Sequence, residues 1–314
     1  SYNDRPDDTE QQGFNISMDF SSKIPFIQRA LAKVALREGG QKDSMKLFGS
    51  NWSPPAWMKS NSKRVGGTMR GVAGDPIHKS LAMYLIRFVE EYRRANISIW
   101  ALTAQNEPAS PLEYGWDSCQ WSAEQMRDFV KTDLGPLMRA RVPEVVLMTS
   151  DDQRPDLVEW ASTVFGDAEA SQYVKGIAFH WYSEVYDVFP RFAEIAKAAA
   201  LFPDKFFLPS EACNGYLYVD AGPRLGDWFR AEAYGFDVMG DHCGLMSHGA
   251  CSMSSCNAAS SRAAPAIKLS SLSMTRTRFS AILPNDDSSA TRAVRNRPVI
   301  ADSGRSAPSV TSCS

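Results

Sequence analysis

Apolar, β-branched runs alternate with amphipathic helical stretches between residues 45 and 210. That alternation restricts the chain to a parallel sheet with helices packed outside it. Strands are expected at 45–50, 97–104, 144–149, 174–180 and 205–210. Between them, residues 77–95 place Leu81, Tyr84, Leu85, Phe88, Val89 and Tyr92 on one stripe. Asp75 stands where an N-cap belongs, with Pro76 in the first turn. Ser122-x-x-Gln125 reads as a capping box opening a helix that carries Met126, Phe129, Val130, Leu134 and Leu137. Further helices are expected over about 190–201 and after Arg224.

Two architectures fit such a pattern. A doubly wound sheet usually shows a Gly-rich phosphate turn after its first strand, and this chain has none. A (β/α)8 barrel carries its functional residues at the C-terminal ends of its strands. The strand ends here read Ser50-Asn51-Trp52, Asn106-Glu107, Asp151-Asp152, His180-Trp181-Tyr182 and Glu211. Each has polar or aromatic chemistry, which favours the barrel, although five strands stand where eight are required.

Composition changes abruptly near residue 240. All eight Trp and all ten Tyr precede residue 235, and after Asp241 there is one aromatic, Phe279, and no Glu. The stretch 241–314 is rich in Ser, Ala and Arg and keeps no period of 2 or 3.6. It cannot bury enough apolar surface to offset its ordering entropy, so a disordered tail or an out-of-frame gene-model segment is expected there. The division is therefore 1–240, a partial barrel domain, and 241–314, a low-complexity tail.

Other function classes recede on charge and composition. A net charge of −2 gives no basic footprint for nucleic acid. No apolar run approaches the ~20 residues of a membrane span. The opening SYNDRPDDTE has no basic or apolar region of a signal peptide and reads as a processed or partial chain. Four of six cysteines follow residue 240, so no disulfide framework is supported. Sequons at Asn15, Asn51 and Asn96 favour the secretory pathway only weakly.

The chemistry gathers on Glu107 and Glu211. Each ends an apolar run, in "IWALTAQNEP" and "FFLPSEACNG", and a buried strand does not end on an ionised group without cost. A rim salt bridge accounts for either carboxylate alone. Two at the ends of different strands, ringed by Trp52, Trp116, Trp181 and Tyr182, meet the requirement of glycoside hydrolysis: one carboxyl protonates the leaving oxygen and the other attacks the anomeric carbon. Asn106 and His180 supply hydrogen bonds for sugar hydroxyls. His180 lacks partners at metal-ligand spacing, so a pocket role outweighs a metal one.

"TAQNEP", "DDQR", "HWY" and "SEAC", in this order, resemble the glucosylceramidases of the acid β-glucosidase (glucocerebrosidase) type in glycoside hydrolase family 30. "SNWSPPAWMKSN" is similar to that family's tryptophan-bearing loop after the third barrel strand. The resemblance runs from about Tyr2 to Asp241 and implies that the five strands are the third to seventh. By position it implies Glu107 as general acid/base, Glu211 as nucleophile, Asn106 as the partner of the sugar 2-hydroxyl, and Trp52, His180, Trp181 and Tyr182 as pocket lining. Asp151, Asp152 and Arg154 match its "DDQR", for which an ion pair holding the loop is a sufficient account. Cys213 is expected as a buried thiol without a task.

What the resemblance implies about activity is retaining hydrolysis of glucosylceramide to glucose and ceramide, without metal or cofactor. It further implies a lysosomal or secretory route, an anionic membrane lipid surface and a saposin-type activator. The family's first two strands with their glucose-holding aspartate, its Trp-rich eighth strand and its β-sandwich have no counterpart here. The isolated 314 residues are accordingly expected to show no glucosylceramide hydrolysis. Two alternatives stay open: a related barrel glycosidase acting on a soluble β-glycoside, and a non-catalytic glycolipid-binding relative.

Overall fold

The computed structural model describes residues 1–37, 45–109, 115–182, 191–215, 221–246 and 266–271. Five parallel strands stand where the alternation places them: β1 Lys46–Asn51, β2 Ala101–Thr103, β3 Val146–Gln153, β4 Val174–His180 and β5 Phe206–Glu211. They pair in chain order, β1 with β2, β2 with β3, and so on to β5. This is a five-strand arc of a parallel β/α barrel. Expected and observed strands agree to within about two residues except at β2, where only Ala101–Thr103 keep strand geometry, and at β3, which runs past the expected 149 to Gln153.

One tail segment departs from expectation. β6, Ala266–Ser271, pairs in parallel with β1, with Lys46 opposite Ala266 and Asn51 opposite Ser271. The physical reason lies in β1, whose outer edge would otherwise expose a row of unpaired N–H and C=O groups. The rest of the tail from residue 247 lies outside the described residues.

Helices cover the outer face. α1 Ser17–Ser21 and α2 Lys23–Arg37 precede the sheet; α3 Pro76–Arg94 links β1 to β2. α4 Ala123–Phe129 runs through a π-helical turn, Val130–Leu134, into α5 Gly135–Arg141. α6 Leu157–Phe165 and α7 Ala168–Ser171 lead to β4, α8 Phe192–Leu201 leads to β5, and α9 Trp228–Met246 follows it. The α3 stripe is buried throughout, from Leu81 to Tyr92. The Ser122 capping box forms in full, with Gln125 N–H donating to Ser122 Oγ and Ser122 N–H to Gln125 Oε1. Asp75 stands at the N-cap of α3 but turns its carboxylate back to accept from Val72 N–H.

Inside the sheet curve a small apolar layer joins Phe48, Ala101, Met148 and Ala178, with Leu208 against it. Successive side chains on a strand alternate faces, so residues two further on form the next interior layer. On β1, β2, β4 and β5 those are Ser50, Thr103, His180 and Ser210. On β3 the rule would give Ser150. A bulge intervenes: the register with β4 shifts between Ser150 and Asp152, and Ser150 and Asp151 take positive φ of 64° and 67°. Asp151 thereby enters the layer in place of Ser150. An apolar floor thus gives way, one layer up, to a polar ring at the C-terminal mouth.

Arg154 is fully buried just beyond β3. Its guanidinium pairs with Asp237 and, at 2.7 Å, with Asp241 of α9. The loop-holding ion pair expected of "DDQR" thus reaches from Arg154 to a distant helix. Asp151 and Asp152 have other work, described below.

Candidate active site

Asp151 is the hub of the polar ring. Its Oδ2 accepts from the Ser50 hydroxyl and lies 2.7 Å from Thr103 Oγ1. Its Oδ1 accepts from Ser210 Oγ at 2.7 Å and lies 3.1 Å from His180 Nε2. The side chain is fully buried. Several donors converging on one carboxylate suit its ionised, acceptor-only form.

His180, also fully buried, connects this hub to both sequence-selected glutamates. Its Nδ1 lies 3.2 Å from Glu107 Oε1, and its Nε2 lies 3.8 Å from Glu211 Oε2. One donor atom from each of Glu107, His180 and Glu211 lies within 4.8 Å of the others. A divalent ion could bridge such a trio. Its members are nevertheless engaged by one another, by Asp151 and by Tyr182, and hydrogen bonding accounts for their spacing.

Glu107 sits at φ 46°, a left-handed conformation that costs a non-glycine residue free energy. Its backbone N–H donates to Asp151 O at 2.9 Å, which holds the turn. Gln153 Nε2 donates to its Oε1 at 3.2 Å. Asp152 accepts from Ala109 N–H at 2.7 Å, two residues past Glu107, and from Gln153 N–H. Burial, and then the Glu107 charge, push the Asp152 carboxyl up to about 7. His180 and the two N–H groups oppose that rise.

Glu211 ends β5 directly opposite His180 in register. Tyr182 donates its hydroxyl to Glu211 Oε1 at 3.0 Å. Burial first, and the Glu211 charge next, raise the phenol far above its ordinary range, so it remains a donor at any working pH. Cys213 is exposed, against the expectation of a buried thiol. Cys213 lies two residues past the end of β5, and its thiol is within hydrogen-bonding reach of Tyr182.

The other selected residues fall around the same mouth. Asn106 is buried and donates its backbone N–H to Asn51 O. Trp52 is half-buried, and Gln105 Nε2 donates to its carbonyl at 2.8 Å. Trp181 is buried with its ring stacked on Tyr234, centroids 4.9 Å apart. Tyr234 takes one face of the ring, and the indole N–H lies on its edge. The indole N–H groups of Trp52 and Trp181 are buried with no hydrogen-bond partner among the described residues. A sugar hydroxyl is a fitting acceptor for either. Sequence reasoning passed over Gln153 and Ser210 and undervalued Asp151 and Asp152. The "DDQR" string was the signal, but the bulge that aims it is not readable from residue types.

A parallel strand-and-helix sheet with paired carboxylates at its C-terminal edge places the chain among the barrel glycoside hydrolases. The particular lineage follows from comparison. Residues 1–249 match the Glycosyl hydrolase family 30 TIM-barrel domain, and the chain belongs to that family. It is 37% identical over 247 residues to putative glucosylceramidase 4 of Caenorhabditis elegans, covering 77% of this chain and 46% of that protein. It is 35% identical over 243 residues to the lysosomal acid glucosylceramidase of Mus musculus, covering 76% of this chain and 45% of that protein. The crystal structure of SrfJ from Salmonella typhimurium superposes with a TM-score of 0.63 at 32% identity, over 77% of this chain and 49% of that one. The chain spans about half the length of the curated relatives it matches. Among the described residues no helix is long and apolar enough to cross a membrane.

Proposed function

We propose that this chain carries the catalytic carboxylates of a retaining β-glucosidase that hydrolyses glucosylceramide to glucose and ceramide. The observation that carries the reading is the approach of Glu107 and Glu211 to within 4.8 Å, donor atom to donor atom, across His180. Retaining pairs stand ~5–5.5 Å apart and inverting pairs ~6.5–9.5 Å, because inversion must leave room for a water. The spacing here supports retention. The choice of glucosylceramide rests on the names of the worm and mouse relatives.

Glu107 protonates the glycosidic oxygen as the bond to ceramide breaks. Glu211 attacks the anomeric carbon and forms a glycosyl ester. The charge on Glu211 is then gone. Glu107, now ionised, takes a proton from water, which releases glucose with its β configuration kept and returns Glu107 to its starting form. Asn106, Trp52 and the edge of Trp181 hold the sugar hydroxyls, and Tyr182 orients Glu211. The lysosomal relative supports a route through the secretory pathway to an acidic compartment. An anionic lipid surface and a saposin-type activator belong to the same proposal, since the substrate is itself a membrane lipid.

The test is a hybrid barrel: residues 1–249 completed with the first two strands and the eighth strand of a family relative. It is assayed at acid pH with anionic lipid, on glucosylceramide and on cellulose and xylan fragments. Turnover of glucosylceramide with β-glucose appearing first by NMR is expected. Preference for the polysaccharide fragments would move the reading to a soluble β-glycoside, and α-glucose as first product would refute retention. The 314-residue chain assayed alone is expected to be inactive, since an open mouth does not hold the sugar in place against the two carboxyls and a misplacement of ~1 Å can cost on the order of 100-fold in rate.

A further inference from the structure

We propose that Asp151 is a positioning residue acting through His180: it holds the imidazole proton on Nε2, so that Nδ1 faces Glu107 as an acceptor and the acid proton lies on the line from Glu107 Oε1 to His180 Nδ1. The inference rests on the acid/base role given to Glu107 above and deepens it.

The geometry argues for one tautomer. His180 Nε2 faces two carboxylate oxygens, Asp151 Oδ1 at 3.1 Å and Glu211 Oε2 at 3.8 Å. A ring nitrogen between two acceptors carries the proton. Neutral imidazole has one N–H, so Nδ1 is left with its lone pair toward Glu107 Oε1, 3.2 Å away. A carboxyl oxygen facing that lone pair can donate its proton to it, and a general acid must hold such a proton before glycosidic cleavage. After cleavage the proton resides on the leaving oxygen. The water that releases the sugar returns a proton to Glu107, and the Oε1 to Nδ1 line is restored. No net proton is gained or lost by His180.

Asp151 is built for this task. The β3 bulge spends two left-handed residues, Ser150 and Asp151, to bring this carboxylate into the interior layer. Hydroxyls of Ser50 and Thr103 at Oδ2, and of Ser210 at Oδ1, fix its plane. Among the described residues, the other ionisable groups facing the imidazole include Glu107, Glu211, Asp152 through its charge, and Tyr182, whose ring centroid is 5.8 Å away. None of these approaches Nε2 more closely than Asp151.

The substitution Asp151→Asn makes the idea decidable. Two hydroxyls meet Oδ2, so the amide oxygen remains there and the amide nitrogen replaces Oδ1. That nitrogen donates to Nε2 and drives the imidazole proton to Nδ1, where it would hydrogen-bond an ionised Glu107. Loss of the correct tautomer on an Asp-to-Asn change is the known consequence in carboxylate–histidine pairs. The measurement is nitrogen NMR of the 15N-histidine-labelled 314-residue chain at neutral pH, with His180→Gln identifying the signals. In the unsubstituted chain the proton is expected on Nε2, and in Asp151→Asn on Nδ1. A proton on Nδ1, or on both nitrogens, in the unsubstituted chain overturns the proposal even if the variant fails to fold. An unchanged tautomer in a folded Asp151→Asn chain also overturns it. The tautomer is read without turnover, so an inactive hybrid barrel would refute the hydrolase reading alone.

Discussion

The hydroxyl of Tyr182 donates to Glu211 Oε1 at 3.0 Å, and the two residues come from the paired ends of β4 and β5. A phenol donating to a carboxylate forms a charge-assisted bond, worth roughly 1.5–3 kcal/mol. The bond steadies the ionised nucleophile before attack and fixes which oxygen is free to attack. Once Glu211 is esterified the bond loses its charge assistance. Tyr182 therefore affects ground state and transition state differently, and its contribution is to orientation.

Tyr182→Phe in the hybrid barrel should lower kcat/KM by about 10-fold to 100-fold, since ~1.4 kcal/mol corresponds to a factor of ten. The ring remains, so the urea midpoint should move little. Steady-state kinetics on an aryl glucoside check the first part. An unchanged kcat/KM would mean that Glu211 is oriented by other partners.

Glu211→Gln should abolish turnover of every glucoside, because no covalent intermediate can form. Glu107→Gln should abolish turnover of glucosylceramide but retain measurable formation of the glycosyl-enzyme from an aryl glucoside with a good leaving group, which needs little protonation. A pre-steady-state burst of the aryl alcohol checks this. Equal loss of the burst in both variants would contradict the assigned roles.

Much of this arrangement was legible beforehand because it follows strand period. Phe48, Ala101, Ala178 and Leu208 face inward, and two residues on stand Ser50, Thr103, His180 and Ser210. Ser50 and His180 stood out as polar strand ends, whereas Thr103 and Ser210 did not, because a hydroxyl inside an apolar run carries little signal by type. The exception is β3. There the period points to Ser150, yet Asp151 occupies the layer because backbone strain was accepted to put it there. Sequence pattern reads preferences, and a bulge at a functional site runs against them. The ion pair expected of Arg154 is present, but its partners could not be named beforehand for a related reason. Its partners Asp237 and Asp241 lie on α9, more than 80 residues away in the chain, and no local pattern links them. The pairing of β6 with β1 was missed because its cause is an open edge on β1, not any period within Ala266–Ser271.

Arg154→Ala should destabilise the 314-residue chain by roughly 3–5 kcal/mol, the cost of leaving a buried charge without its partner. Asp237 and Asp241 are 4% and 3% exposed and would both lose the guanidinium they share. Burial already holds the Asp237 carboxyl above its usual range even with Arg154 present. Adding Asp237→Asn and Asp241→Asn to Arg154→Ala should recover part of the loss. Urea unfolding of the three chains checks it. No recovery would show that the loss comes from the packing of the guanidinium against Phe192, whose ring centroid lies 4.9 Å from its carbon.

Asp152 gives the chain a stability that depends on pH. Its carboxyl is pushed up to about 7, first by burial and then by the charge of Glu107, against an ordinary value of 3.8. Between those values the folded chain binds a proton that the unfolded chain does not. The resulting stabilisation is complete below about 3.8 and is lost as pH rises through about 7. Three units correspond to at most about 4 kcal/mol, and coupling to Glu107 reduces what Asp152 alone supplies. The urea midpoint of the 314-residue chain should therefore be higher at pH about 5 than at about 7.5, the opposite of what carboxylates in ion pairs produce. Asp152→Asn keeps an oxygen to accept from Ala109 or Gln153 and removes the titration. Its midpoint should vary less between the two pH values than that of the unsubstituted chain. An equal variation in both would assign the dependence to other groups, and a midpoint that rises toward pH 7.5 in the unsubstituted chain would mean that Asp152 folds as a carboxylate.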